Sequence, residues 1–265
     1  MLEDIAKNIN ILGEFCAKRD IAELTSEQLY EKYQKLQVDV MVLFGGSILC
    51  GGDVLAQAMR NQLAKKYVIV GGAGHTTETL REKVHEVFPE IETSGLSEAQ
   101  VFAAYLKHRY GLEPDLLECR STNCGNNITY LLELLRDNGI SFRSIIISQD
   151  ASMQYRMEAG LRKYVGDDVA IINYAAYQAK VIVDHSALAY EKEIVGMWEI
   201  DRYISLLMGE IPRLSDDENG YGPKGKGFIA HVDLPEEVKK AFLELQRIYP
   251  NLVREANPLF ASRVE

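Results

Sequence analysis

Apolar residues open the chain at three- and four-residue intervals: Leu2, Ile5, Ile9, Leu12, Phe15 and Cys16 fall on one face of a helix. A second helix follows before residue 36, where Thr25 and Gln28 have the spacing of a capping box. The period then changes. Short β-branched and aliphatic runs lie at 38–44 (VDVMVLF), 67–70 (YVIV), 116–119 (LLEC), 144–148 (SIIIS) and 169–172 (VAII), separated by longer stretches with helical spacing. Apolar strands that alternate with helices predict βαβ units and a doubly wound parallel sheet, covered on both faces. Beyond 174 the strand signal fades. Leu188, Ile194, Val195, Trp198, Tyr203, Leu206 and Leu207 predict one long helix over 188–208, followed by a polar, glycine-rich stretch at 209–227 and a closing helix near 235–248.

This pattern divides the chain into N-terminal helices (1–36) packed on an α/β core (37–185), then a mainly helical C-terminal region (186–265) with a glycine-rich loop. At 265 residues and 47% hydrophobic, the chain is long enough for one substantial core and a smaller appended unit. Lys and Arg total 29 against 39 Asp and Glu, and the net charge of -10 repels a phosphate backbone. No basic cluster offsets it, so nucleic acid is not an expected partner. Cys16, Cys50, Cys119 and Cys124 lack CxxC spacing, which points away from structural zinc and disulfides. The opening Met1, Leu2, Glu3, Asp4 is acidic where a secretory signal is basic, and no apolar run approaches the ~20 residues of a membrane span. The expected location is cytoplasmic, with no membrane partner.

Polar and glycine residues gather where strands end. The first strand runs into Gly45, Gly46 and Ser47, and the second into Gly71, Gly72, Ala73, Gly74, His75 and Thr76. The third leads to Ser121, Thr122, Asn123, Gly125, Asn126 and Asn127, and the fourth to Gln149, Asp150, Gln154 and Arg156. Four strand ends thus converge on one edge of the sheet, where open parallel sheets carry their ligand crevice. A small, nucleotide-like ligand is the expected partner. Ordinary turns and caps account for any one of these loops taken alone.

Familiar signatures fail on inspection. Gly46 and Gly51 have Walker spacing, but Gly52 and Asp53 follow where Lys and Ser or Thr are required. Gly72, Gly74 and Thr77 imitate G-x-G-x-x-G with the last glycine replaced, and Gly45-Gly46-Ser47 starts a nucleophile elbow whose final glycine is Leu49. The histidines show no metal-ligand spacing, so no metal site is assigned, although His231 and Asp233 suit one strand face.

The asparagine-rich loop is the least generic element. Ser121 or Thr122 serves as a helix cap on the plain reading, while Asn123, Asn126 and Asn127 supply donors and acceptors suited to a ribose, carboxylate or amide. Gln149 and Gln154 add donors, and Arg156 offers a bidentate anion contact or simply a solvated helix face. Glu98 opens a helix beginning at Ser97, where a carboxylate suits the helix dipole with or without an acid–base role. Residues 209–233 combine Pro212, Gly220, Gly222, Pro223, Gly225 and Gly227 with Asp216, Tyr221 and His231, and read either as a lid over the crevice or as a connection between helices.

The segments GGAGHT (71–76), STNCGNN (121–127) and QDASMQYR (149–156), with RYISLLMGEIPRL and NGYGPKG between 196 and 233, resemble the YdcF/SanA/ElyC family of uncharacterised-domain proteins over nearly the full length. The resemblance implies a Rossmann-like core with terminal helical extensions, and S-adenosyl-L-methionine as the bound cofactor, without an established reaction. A transferase using that cofactor is the enzymatic expectation. The acidic-residue-then-GxGxG loop of the commonest methyltransferases is absent. The alternative is a non-catalytic binding or regulatory module for a phosphorylated or envelope-related metabolite.

Overall fold

The computed structural model describes residues 1–74 and 77–252. The five apolar runs form strands β1 (Val38–Phe44), β2 (Ala64–Val70), β3 (Leu116–Glu118), β4 (Ser144–Ser148) and β5 (Ala170–Asn173). All are parallel, in the order β3-β2-β1-β4-β5. The arrangement is Rossmann-like, with the order reversing between β1 and β4.

Strand alternation sends side chains to two separate cores. Met41, Leu43, Ile69, Ile146 and Ile172 pack with Leu55 of α3 (Cys50–Arg60) and Phe102 of α5 (Glu98–Tyr110). Val40, Val42, Phe44, Val68, Ile145 and Ile147 pack with Ile128 and Leu131 of α6 (Cys124–Asp137) and Met157 of α7 (Gln154–Arg162). Helix α4 (Thr77–Val87) joins the first face through Leu80 and Val84. Helix α2 (Ser26–Tyr33) starts at Thr25, whose side chain accepts from the Gln28 amide, but the Gln28 side chain accepts from Ala22, so only half of the capping box forms. Ser97 and Gln100 complete both halves at α5.

A third core joins the first helix to the last two described helices. Ile5, Ile9 and Leu12 of α1 (Leu2–Cys16) pack with Tyr203, Leu207 and Ile211 of α8 (Ile200–Leu214) and Val238 and Leu245 of α9 (Glu236–Ile248). Asn8 of α1 donates to the Glu244 carboxylate of α9 at 2.8 Å. Ile48, just after β1, belongs to the same cluster and links it to the sheet.

The long helix expected over 188–208 is not formed. Instead β6 (Val181–Asp184) and β7 (Ala187–Tyr190) make an antiparallel hairpin across the boundary placed near 185. His185 and Ser186 both adopt positive φ, 45° and 64°, the left-handed turn that suits a two-residue hairpin. Residues 191–199 then run without regular structure before α8, which continues past Gly209 to Leu214. Among the described residues no helix is long and apolar enough to cross a membrane.

Candidate functional site

The reversal of strand order places the ends of β1 and β4 side by side, with Leu43 in register with Ser148. Beyond them lie Gly45-Gly46-Ser47 and Gln149-Asp150. Three side-chain atoms here are buried without a hydrogen-bond partner: Ser47 Oγ, Ser148 Oγ and Gln149 Nε2. All three residues are at most 1% exposed. Unpaired buried polar atoms are costly and uncommon, and their concentration at one strand crossing marks the spot.

Gln149 is fixed at its other end. Its Oε1 accepts from the Asp150 amide at 2.6 Å, leaving the amide nitrogen as the uncommitted donor. Asp150 is a buried carboxylate held by its neighbours: Ser152 donates from its amide and hydroxyl at 3.0 and 2.7 Å, and Tyr177 from its phenol at 2.8 Å. Burial, then the Asp150 charge, drives the Tyr177 pKa well above its ordinary value. Burial, reinforced by Asp150 and Asp53, pushes the Cys50 thiol up to about 12, so it is protonated and a weak nucleophile at neutral pH. A cavity of about 10 Å³, the size of one water, lies against Gly46, Ile48, Gln149 and Asp150.

The glycines of the first two loops serve chiefly to let the chain approach itself. A Cβ on Gly45 would stand 2.9 Å from Glu98 Cβ and closer still to its carboxylate. One on Gly71 would meet Glu98 Cβ at 2.9 Å and Gly45 Cα at 3.1 Å, and one on Gly72 would overlap the Ser121 backbone. The amides of Glu98 and Ala99, at the start of α5, donate to the Gly72 and Gly71 carbonyls at 3.0 and 2.8 Å. Glu98 is thereby buried at the edge of the first and second loops, where its carboxylate accepts from the Thr77 hydroxyl at 3.0 Å. Gly46 and Gly74 have more room: a Cβ would lie 3.3 Å from Gln149 Oε1 and 3.6 Å from the Thr122 carbonyl. His75 and Thr76 lie outside the described residues.

Several sequence-predicted ligand groups are committed to the protein. The Ser121 hydroxyl accepts from the Gly72 amide at 3.1 Å. Asn123 is the N-cap of α6, its side chain accepting from the Asn126 amide at 2.9 Å and donating to Asn126 Oδ1 at 2.8 Å. The Thr122 hydroxyl also donates to Asn126 Oδ1, at 3.2 Å, and Asn127 is buried on the first turn. Gln154 accepts from the Gln149 amide and donates to the Ile147 carbonyl and Asn173 Oδ1. Arg156 is 13% exposed and pairs in bidentate fashion with the Glu210 carboxylate of α8, so it is neither a solvated helix face nor a free anion clamp.

The polar segment after α8 does not cover this crevice. The Ala230 amide donates to the Ala159 carbonyl at 2.8 Å and Lys163 to the Gly227 carbonyl at 2.6 Å, which seats the segment along α7. His231 sits there between Asp216 (Nδ1, 2.6 Å) and Asp233 (Nε2, 2.9 Å), beside a groove of about 620 Å³ that also includes Pro212, Phe242 and Leu243. Both carboxylates raise the His231 pKa, Asp233 the more. Among the described residues no group of three or more His, Cys, Asp and Glu is arranged to hold a metal ion.

What reaches the crevice is a pair of residues that the sequence pattern hid. Trp198, from the 191–199 segment, donates its indole N–H to Asp150 at 3.4 Å. Lys83 of α4 lies 4.6 Å from the Trp198 ring centre and donates to the Gly196 carbonyl. Burial lowers the Lys83 pKa, with Asp150 opposing. Ser148 was hidden for a different reason, since its position reads as the last residue of an apolar strand. No family model matches the chain.

Proposed function

We propose that the chain binds S-adenosyl-L-methionine at the β1/β4 crevice. The observation that carries this reading is the cluster of Ser47 Oγ, Ser148 Oγ and Gln149 Nε2, three buried hydrogen-bonding atoms without protein partners at the reversal point of a parallel sheet. The electrostatics select among nucleotide-like ligands. Asp150 and Glu98 place two buried carboxylates at the strand ends, and Arg156 is neutralised by Glu210. Polyphosphates fit such a site badly, whereas a ligand carrying a sulfonium and an ammonium fits it. The resemblance to the YdcF/SanA/ElyC family supports the same ligand.

Gln149 Nε2 and the two serine hydroxyls would satisfy the ligand's polar atoms, and Asp150 and Glu98 its positive charge. The ligand supplies a transferable methyl group on sulfur. A binding or regulatory module is the second reading, favoured by Cys50, whose thiol is close enough to feel the Asp150 charge yet is protonated and so a weak nucleophile.

Isothermal titration of the full chain against S-adenosylmethionine, S-adenosylhomocysteine, ATP and NAD tests the proposal. Binding is expected in that order, with the sulfonium compound tightest. No heat from any of the four at millimolar concentration overturns it, and tighter binding of ATP or NAD overturns the charge argument. Turnover of the bound ligand by fresh protein separates enzyme from module.

A further inference from the structure

A segment outside the α/β core reaches the crevice. Residues 191–199 leave the β6–β7 hairpin and enter α8, and on the way they touch both sides of the crevice. Trp198 reaches Asp150 beyond β4, and Gly196 and the Trp198 ring reach Lys83 on α4. Gly196 has φ +76°, a left-handed conformation that glycine adopts freely. Tyr190 holds the near end, donating its phenol to the Trp198 carbonyl at 2.9 Å.

We propose that residues 191–199 are the gate of this site and that Trp198 is a ligand-contact residue, latched in the closed state by Asp150 and Lys83. The inference rests on the crevice being a ligand site, and it adds how the ligand enters and what it meets. Two observations carry it. The cavity beside Gln149 and Asp150 is about 10 Å³, whereas sites for small organic ligands are about 300 Å³ or more, so an adenosyl ligand enters only when groups around Asp150 move, and Trp198 is bonded to Asp150. The Trp198 face already attracts cations, with Lys83 at 4.6 Å and Arg202 at 5.6 Å from the ring centre. A ligand bearing positive charge competes for that face and for Asp150, the two contacts that hold the segment down. The latch is weak enough to exchange: one hydrogen bond is long, the other contacts are half-buried, and the segment has no regular backbone ladder.

Trp198 is the single tryptophan of the chain, so fluorescence excited selectively at tryptophan, clear of the 14 tyrosines, reports on the gate alone. Without ligand, Lys83→Met and Asp150→Asn are expected to shift the emission to the red and to raise the acrylamide quenching constant by about twofold. Lys83→Met, on the outer helix, keeps the fold intact, which far-ultraviolet circular dichroism checks. Unchanged quenching in this variant overturns the latch. With S-adenosylmethionine, calorimetric heat and a Trp198 emission change should saturate together, and Trp198→Ala should weaken binding about fivefold or more. Heat without an emission change, together with Trp198→Ala binding within about twofold of the wild type, overturns the contact role and leaves the ligand reading standing. No heat from either the wild type or Lys83→Met overturns the ligand reading and the contact role with it.

Discussion

Arg156 on α7 and Glu210 on α8 form a bidentate ion pair beneath the surface, with side chains only 13% and 5% exposed. The pair ties the α/β core to the C-terminal helices. Removing either partner strands the other charge in a dry setting, so Arg156→Met and Glu210→Gln should each lower unfolding free energy by about 3–5 kcal/mol. Urea denaturation measures this. Ligand affinity of the folded fraction should stay near wild type. A stable Arg156→Met protein that no longer binds ligand would return Arg156 to the site.

Ser148 and Asn123 should respond in opposite ways. The Ser148 hydroxyl has no partner, so Ser148→Ala should leave stability unchanged or raise it by up to about 1 kcal/mol while weakening ligand binding about three- to tenfold. Ser47→Ala is expected to behave alike. Asn123 caps α6, and Asn123→Ala should cost ~1 kcal/mol of stability with little change in binding. Thermal unfolding and calorimetry on the three variants decide between ligand contact and cap at each position.

Gly45 and Gly46 are neighbours with unequal tolerance. Alanine at Gly45 would push its methyl into Glu98 and the Gly71 backbone, whereas at Gly46 it would lie 3.3 Å from Gln149 Oε1. Gly45→Ala should therefore destabilise by about 1–3 kcal/mol, and Gly46→Ala by less. Equal losses in a denaturation series would show that Glu98 does not set the requirement.

Strong acid should loosen the end of the sheet opposite the crevice through Asp39, near the start of β1. Burial works to raise the Asp39 pKa, but hydrogen bonds from Lys65, the Arg143 amide and Ser144 outweigh it and hold the carboxyl at about 2. Because this folded value lies below the unfolded one of about 3.9, the stabilisation is full above that unfolded value and is lost as pH falls through about 2. Asp39→Asn should be less stable than wild type at neutral pH, with the gap closing across that acidic window. A gap independent of pH would remove Asp39 from the account of acid sensitivity.

The sheet was legible because buried parallel strands are written as unbroken runs such as SIIIS, whose apolar character reports burial on both faces. The β6–β7 hairpin was not, since its strands are short and its turn is His185-Ser186 rather than the Asn-Gly that advertises such a turn. Leu188, Ile194 and Trp198 mimic one helical face, yet they belong to a strand and the gate segment. At the strand ends, glycine and amide content marked the loops that meet there, but the partners that assign each side chain lie far away in sequence. Arg156 meets Glu210 across 54 positions, and Asp150 meets Trp198 across 48. No local pattern encodes such pairs.

The hydrogen bond from Asn8 to Glu244 spans 236 positions and has a meaning for the newborn chain. Helix α1 leaves the ribosome well before α9, an interval of roughly ten to fifty seconds at ordinary translation speeds of about 5–20 residues per second. Throughout it Ile5, Ile9 and Leu12 lack the α9 side of their packing. The apolar face of α1 thus stays partly uncovered until α9 has been made, long after the helix itself is complete.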